Sequence, residues 1–332
     1  MHQFSYLVLS LFLAFPAFAQ NYQTTGKIIV DDPRMDELID VSAGIEILAD
    51  GFGWSEGPLW LSIENKLIFS DIPDNSIYEW SESDGLQLYL KPSGYTGEQA
   101  RGGELGSNAL LLASDGRLVL CQHGDRRIAK MLAPLSDPVP KFETLADNYQ
   151  AKKLNSPNDA VFSKTGELYF TDPPYGLEKN VDDPTKELDF QGVYKLSKSG
   201  EIQLLTKALT RPNGIAFSPD GTKLYLANSD PKRAIWMVYD VKEDGSIENA
   251  KVFFDATNLV LEDNGLPDGM KVHRNGTVFA TGPGGIFIFS ADGKILGKIE
   301  TGKETANCAF NDDYSALYVT ADSYLMRVHL KK

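Results

Sequence analysis

The chain has 332 residues, 42% hydrophobic and 23% charged, which excludes a disordered polypeptide and supplies ample material for a buried core. With 46 acidic against 32 basic side chains the net charge is -14, so neither nucleic acid nor an anionic membrane surface is the expected partner. The 29 glycines and 17 prolines demand frequent turns and disfavour an all-helical fold, and two cysteines are too few for a disulfide scaffold or a thiolate zinc site.

The first element in chain order is an export leader. Leu7 to Phe15 form an apolar run too short to span a bilayer, and Ala17-Phe18-Ala19 supplies a small-x-small cleavage pattern. Residues 1–19 are therefore predicted to be a signal peptide cleaved after Ala19, making the protein exported, periplasmic or secreted. No second apolar run of spanning length follows, so no membrane insertion is expected. Residues 20–44 read as an N-terminal arm with a short helix around Pro33 to Ile39.

From Ile45 to residue 332 a period of about fifty residues takes over. NALLLASDGRLVLCQ begins at Asn108, NDAVFSKTGELYFTD at Asn158, NGIAFSPDGTKLYLAN at Asn213 and DGMKVHRNGTVFATG at Asp268. Each has a polar anchor, an alternating apolar run, a glycine eight positions on, and a second strand. EGPLWLSIENKLIFSD from Glu56 and NCAFNDDYSALYVTA from Asn307 are looser copies. Asp-Gly, Asn-Gly and Thr-Gly at the joints are hairpin chemistry. Two further strands follow most hairpins, as in GVYKLS and EIQLLTK after Asn158. The pattern predicts an all-β, six-bladed β-propeller with four antiparallel strands per blade. The sixth unit lacks a strand where the chain ends, and IEILAD at Ile45 supplies it, closing the ring from the N-terminal side. Cys121 and Cys308, far apart in this scheme, are expected as buried free thiols.

Superposing the repeats puts every anchor at the start of its innermost strand, where the six would ring the axis: Glu56, Asn108, Asn158, Asn213, Asp268 and Asn307. Buried polar groups need partners. Amide and carboxylate oxygens carrying two negative charges suit one hard divalent cation, calcium first, with magnesium, manganese and zinc as alternatives. Ordinary turn chemistry at strand starts is the competing explanation for any single anchor.

Other features compete for attention. Gly53-Trp54-Ser55-Glu56-Gly57 fits G-x-S-x-G, but a nucleophile elbow needs a helix after the serine, and Pro58-Leu59-Trp60-Leu61 reads as a strand. His273 and His329 lie in strand patterns and read as structural. His123 ends a second strand on the anchor face. Two long loops, Lys91 to Ser107 and Pro173 to Gln191, reach the same face, which makes Arg101, His123, Asp172 and Tyr175 candidate pocket residues.

SEGPLW at Ser55, SPNDAVF at Ser156, RPNGIAFS at Arg211 and LPDGMKV at Leu266 resemble the motifs of the senescence marker protein/gluconolactonase family, the regucalcin relatives. CQHGDRRI, LYFTDPPYG, KELDFQGVY and TGPGGIFIF resemble its bacterial gluconolactonases. The resemblance spans the chain beyond the leader. It implies a six-bladed propeller, a divalent metal on the axis, and lactone hydrolysis. By motif it implies Glu56, Asn213 and Asp268 as metal ligands and Asn158 as the ring asparagine facing metal and substrate. Animal members carry an arginine before that asparagine, where this chain has Ser156-Pro157, so their sugar specificity does not carry over. Asp268 is the expected base for the attacking water, and a small neutral lactone such as glucono-1,5-lactone the expected substrate. An aryl-ester or phosphotriester hydrolase with the same site, or a non-catalytic binding propeller with a structural metal, are the alternatives.

Overall fold

The computed structural model describes residues 21–331. The predicted leader lies outside them. Six four-stranded units follow one another in chain order. Blade one is Ser55–Leu61, Lys66–Asp71, Ser76–Ser81 and Gly85–Leu90. Blade two is Ser107–Leu112, Leu118–Gln122, Arg127–Met131 and Phe142–Ala146, and blade three Ala160–Phe162, Leu168–Asp172, Gly192–Leu196 and Ile202–Thr206. Blade four is Pro212–Phe217, Lys223–Asp230, Arg233–Val241 and Ile247–Asp255. Blade five runs Met270–Val272, Val278–Gly282, Gly285–Phe289 and Ile295–Glu300. Blade six takes Thr305–Phe310, Ala316–Ala321 and Tyr324–His329 from the C-terminal end and Ile45–Asp50 from the N-terminal side.

The hairpins form for the reason the repeats suggest. Gly116, Gly166, Gly221 and Gly276 take φ between 76° and 92°, the left-handed region that side chains avoid. Blades one and six, the looser copies, use Asn65 and Tyr314 there, at φ 49° and 58°. Alternating apolar residues bury between neighbouring blades. Tyr169 and Val193 of blade three pack with Leu224, Leu226 and Ile235 of blade four, and Trp60 stacks on Tyr318 across the closing seam at 5.3 Å. Hydroxyls on second strands tie a blade to the inner strand of the next: Ser70 donates to Asn108 O at 2.9 Å, Thr171 to Asn213 O at 2.8 Å, and Thr281 to Ala306 O at 2.9 Å. Cys121 and Cys308 are buried and unbridged, and burial raises both thiols, Cys308 to about 12.

The arm is more structured than its sequence suggests. Thr24–Thr25 pairs with Ile45–Asp50, and Lys27–Val30 adds a fifth strand to blade five. The short helix is a 3-10 turn, Pro33–Glu37, capped by Asp32 and burying Met35. The arm thus covers the outer edges of the two blades beside the ring closure.

Candidate active site

β-Bulges turn the anchors toward the axis. Pairing between first and second strands slips at Glu56/Leu59, Ser107/Leu110, Pro212/Ile215 and Thr305/Asn307. In blades three and five the anchors precede short inner strands and are held by Asn158 N to Thr171 O at 2.9 Å and Asp268 N to Thr281 O at 3.0 Å. Glycine follows three anchors because the blades meet there. A Cβ on Gly57 would lie 2.1 Å from Asn108 O, one on Gly214 2.1 Å from Asp268 O, and one on Gly269 2.1 Å from the Asn307 side chain.

Glu56, Asn108, Asn158, Asn213 and Asp268 therefore share the floor of one cavity of about 360 Å3. Glu56 Oε2 accepts from Gly57 N at 2.7 Å and Asn307 Nδ2 at 3.2 Å, yet burial pushes its carboxyl up to about 7. Asp268 shows part of its surface to the cavity but is surrounded by protein, and burial, then the Glu56 charge, raise it well above the carboxylate range. Asn213 donates to Ser229 Oγ at 3.0 Å and is hydrogen-bonded to Asp268. Asn158 Oδ1 and Asp268 Oδ1 are buried without a hydrogen-bond partner. Asn307, the sixth anchor, lines a second cavity farther along the channel with Asp159 and Lys271. Its Oδ1 accepts from Cys308 N at 2.9 Å, and Lys271 Nζ lies 3.3 Å from it.

The donor chemistry fits a hard cation. Two crowded carboxylates and two amide groups, with two orphaned oxygens among them, ask for positive charge in the middle. Among the described residues no three His, Cys, Asp or Glu side chains converge as a metal cluster, so a cation here would depend on the asparagines. Lys271 is the ammonium farther down the channel. It counters Asp159, whose carboxyl is raised by burial.

The walls sort the other candidates. Tyr175 lines the cavity, and burial raises its hydroxyl. His123 is fully buried behind Asn158, with Nε2 3.4 Å from the amide nitrogen. Asp172 is outside the lining: its two oxygens accept from Asn155 N and Ser156 N, both at 2.8 Å, bracing the approach to Asn158. Asp71 holds Gly53 N and Trp54 N likewise, so this position serves the scaffold. Arg101 is also outside the lining and clamps the long loops together by donating to Gly124 O and Gly176 O. Sequence reasoning missed Glu104, Glu304, Thr305 and the connection carrying Asp263, Asn264 and Leu266, all of which line the cavity. Length was the one usable signal for the connections carrying Glu104 and Asp263, whereas Glu304 and Thr305 sit in a short link and at a strand start and offered none. Five carboxylates and no Lys, Arg or His line this space among the described residues.

Ser55 is buried in the seam, its Oγ donating to Asp322 O at 3.1 Å and Tyr324 O at 2.8 Å, and a strand follows it. His273 packs edge-on against Tyr314, and His329 lies 3.1 Å from Glu46.

Residues 54–323 match the SMP-30/gluconolactonase/LRE-like region. The chain is 40% identical over 318 residues to a gluconolactonase of Zymomonas mobilis, covering 94% of this chain and 88% of that one. It is 25% identical over 271 residues to a pentonolactonase of Haloferax volcanii, covering 80% of each. A solved gluconolactonase of Xanthomonas campestris superposes with a TM-score of 0.79 at 26% identity, over 94% of this chain and 99% of that one. The chain belongs to the SMP-30/gluconolactonase/LRE-like family.

Proposed function

We propose that the protein is a divalent-cation-dependent lactonase that opens a small neutral sugar lactone of the glucono-1,5-lactone kind. The observation that carries this is the cavity floor, where Glu56 and Asp268 face each other's charge beside unpartnered oxygens of Asn158 and Asp268. The names of the Zymomonas and Haloferax relatives support the substrate class.

Glu56, Asn158, Asn213 and Asp268 would hold the ion, calcium by preference for oxygen donors. When bound, it supplies Lewis-acid polarisation of the lactone carbonyl and offsets the charge of the tetrahedral intermediate. Asp268 takes a proton from the attacking water as the water oxygen bonds to the carbonyl carbon. Collapse of the intermediate breaks the ring C–O bond, and the departing alkoxide takes back the proton held by Asp268. Asn158 and Asn213 orient the reacting groups, and the rim polar groups Glu104, Asn264, Glu304 and Thr305 are placed to accept or donate to sugar hydroxyls.

Turnover of aldonolactones, aryl esters and a phosphotriester by purified protein tests the reading. Ring-opening of an aldonolactone ahead of the other classes is expected; turnover of esters or phosphotriester alone would replace it. Export is part of the proposal: a mature chain beginning at Gln20 supports it, and an unprocessed cytoplasmic chain retracts it.

A further inference from the structure

We infer that Glu104 and His123 form an orientation relay that fixes which atom of the Asn158 amide faces the cavity, an inference resting on the reading of Asn158 as a working residue. An asparagine amide has two nearly isosteric ends, one a donor and one an acceptor. Only the oxygen can serve a cation, so something must prevent the flipped arrangement. Asn158 lines the cavity, its Nδ2 lies 3.4 Å from His123 Nε2, and its Oδ1 is left unpartnered. That contact is favourable only if Nε2 carries a lone pair, because a protonated Nε2 would oppose one N–H to another.

The tautomer is set on the far side of the ring. Glu104 Oε2 lies 2.7 Å from His123 Nδ1, out of line for a straight hydrogen bond but close enough to favour the proton there. A carboxylate offers no proton in return. His123 is completely buried, and among the described residues no other side chain hydrogen-bonds or ion-pairs with its ring nitrogens. Glu104 differs: it is 41% exposed at its side chain and lines the cavity. The chain of contacts thus runs from a cavity-wall carboxylate, through a buried imidazole, to an amide on the cavity floor. His123 acts on the floor only through Asn158, and Glu104 only through His123, so in this relay both are positioning residues. The same reasoning explains a buried histidine at the end of a second strand, where Ile72 occupies the matching position in blade one. Outer partners that orient metal-binding groups typically change affinity by about 10–100-fold when removed.

Nitrogen-15 spectra of histidine-labelled protein at about pH 8, where histidines are ordinarily neutral, read the tautomer directly. His123 signals are assigned by their loss in His123→Gln. A protonated Nδ1 with a bare Nε2 is expected, shifting toward the Nε2-protonated form in Glu104→Ala. Calcium titration calorimetry should show Glu104→Ala and His123→Phe weakened by at least about tenfold, with Glu104→Asp partly restoring affinity. An Nε2-protonated His123 in the unaltered protein, or a tautomer and calcium affinity unmoved by Glu104→Ala, would overturn the relay. Failure of the lactonase reading is a separate result: protein inactive on lactones with an Nδ1-protonated, Glu104-dependent His123 keeps the relay and retracts the reaction.

Discussion

In the proposed reaction Glu56 and Asp268 carry the chemistry at the residue scale, and their burial sets a pH dependence. In protein stripped of divalent ions, the folded state keeps a proton on Glu56 up to about 7, whereas an ordinary carboxyl of this kind releases it near 4.5. Asp268 is displaced in the same direction. The folded chain then binds more protons than the unfolded chain across that window, so stability falls as pH rises through it. A bound cation offsets the same charges and should flatten the slope. Urea denaturation with chelator at about pH 5, 6 and 7 should give declining midpoints, and with saturating calcium nearly level ones. Equal midpoints in chelator would contradict this assignment. Substitution separates two residues with very different surroundings. Asp268→Ala should lose at least about 10²-fold in kcat/KM, because the water's base goes with it. Ser55→Ala removes one hydroxyl donor shared between two seam carbonyls, a stability cost of about 1–3 kcal/mol, and should leave kcat nearly unchanged. Steady-state lactone hydrolysis by both variants decides, and an inactive, folded Ser55→Ala beside an active Asp268→Ala would reverse the roles.

At the scale of elements, the inner strands position the floor by close approach. Gly214 takes an ordinary backbone conformation but has Asp268 O 2.1 Å from where a Cβ would be. Gly214→Ala should therefore force blades four and five apart, with a stability loss of about 1–3 kcal/mol and weaker calcium binding. A thermal melt and a calcium titration check both, and unchanged values would mean the seam is looser than the geometry states. These elements also mark how far the sequence could be read. Anchor-to-glycine spacing revealed the hairpins, since Asp-Gly and Asn-Gly joints and alternating apolar residues are local properties. The bulges were not legible, because a register slip depends on which neighbouring strand a residue meets. For that reason Asn307 read as equivalent to the other anchors, although its side chain faces Glu56 from farther down the channel. Asp172 and Arg101 were read as pocket residues from the face they sit on, and their hydrogen bonds to Ser156 N and to Gly176 O hold loops instead. The Glu104 contact joins two loops distant in sequence and had no local signal at all.

For the whole molecule, ring closure explains how one cavity floor, the proposed lactonase site, can be assembled from five separate blades. Ile45–Asp50 pairs with Tyr324–His329, and the arm continues onto blade five through Lys27–Val30. IEILAD could be matched to a missing strand by its pattern. The edge strands of the arm could not, since KIIV is too short to carry a period. A closed ring holds its axial carboxylates at fixed separation in a medium that resists their charge, which makes a cation the natural partner of the floor. The most direct measurement is hydrolysis of glucono-1,5-lactone, followed by acid release, in protein stripped with chelator and then reloaded with calcium. Turnover should disappear on stripping and return on reloading, with circular dichroism unchanged. Full turnover by protein shown by elemental analysis to hold no divalent metal would contradict a cation held by Glu56 and Asp268.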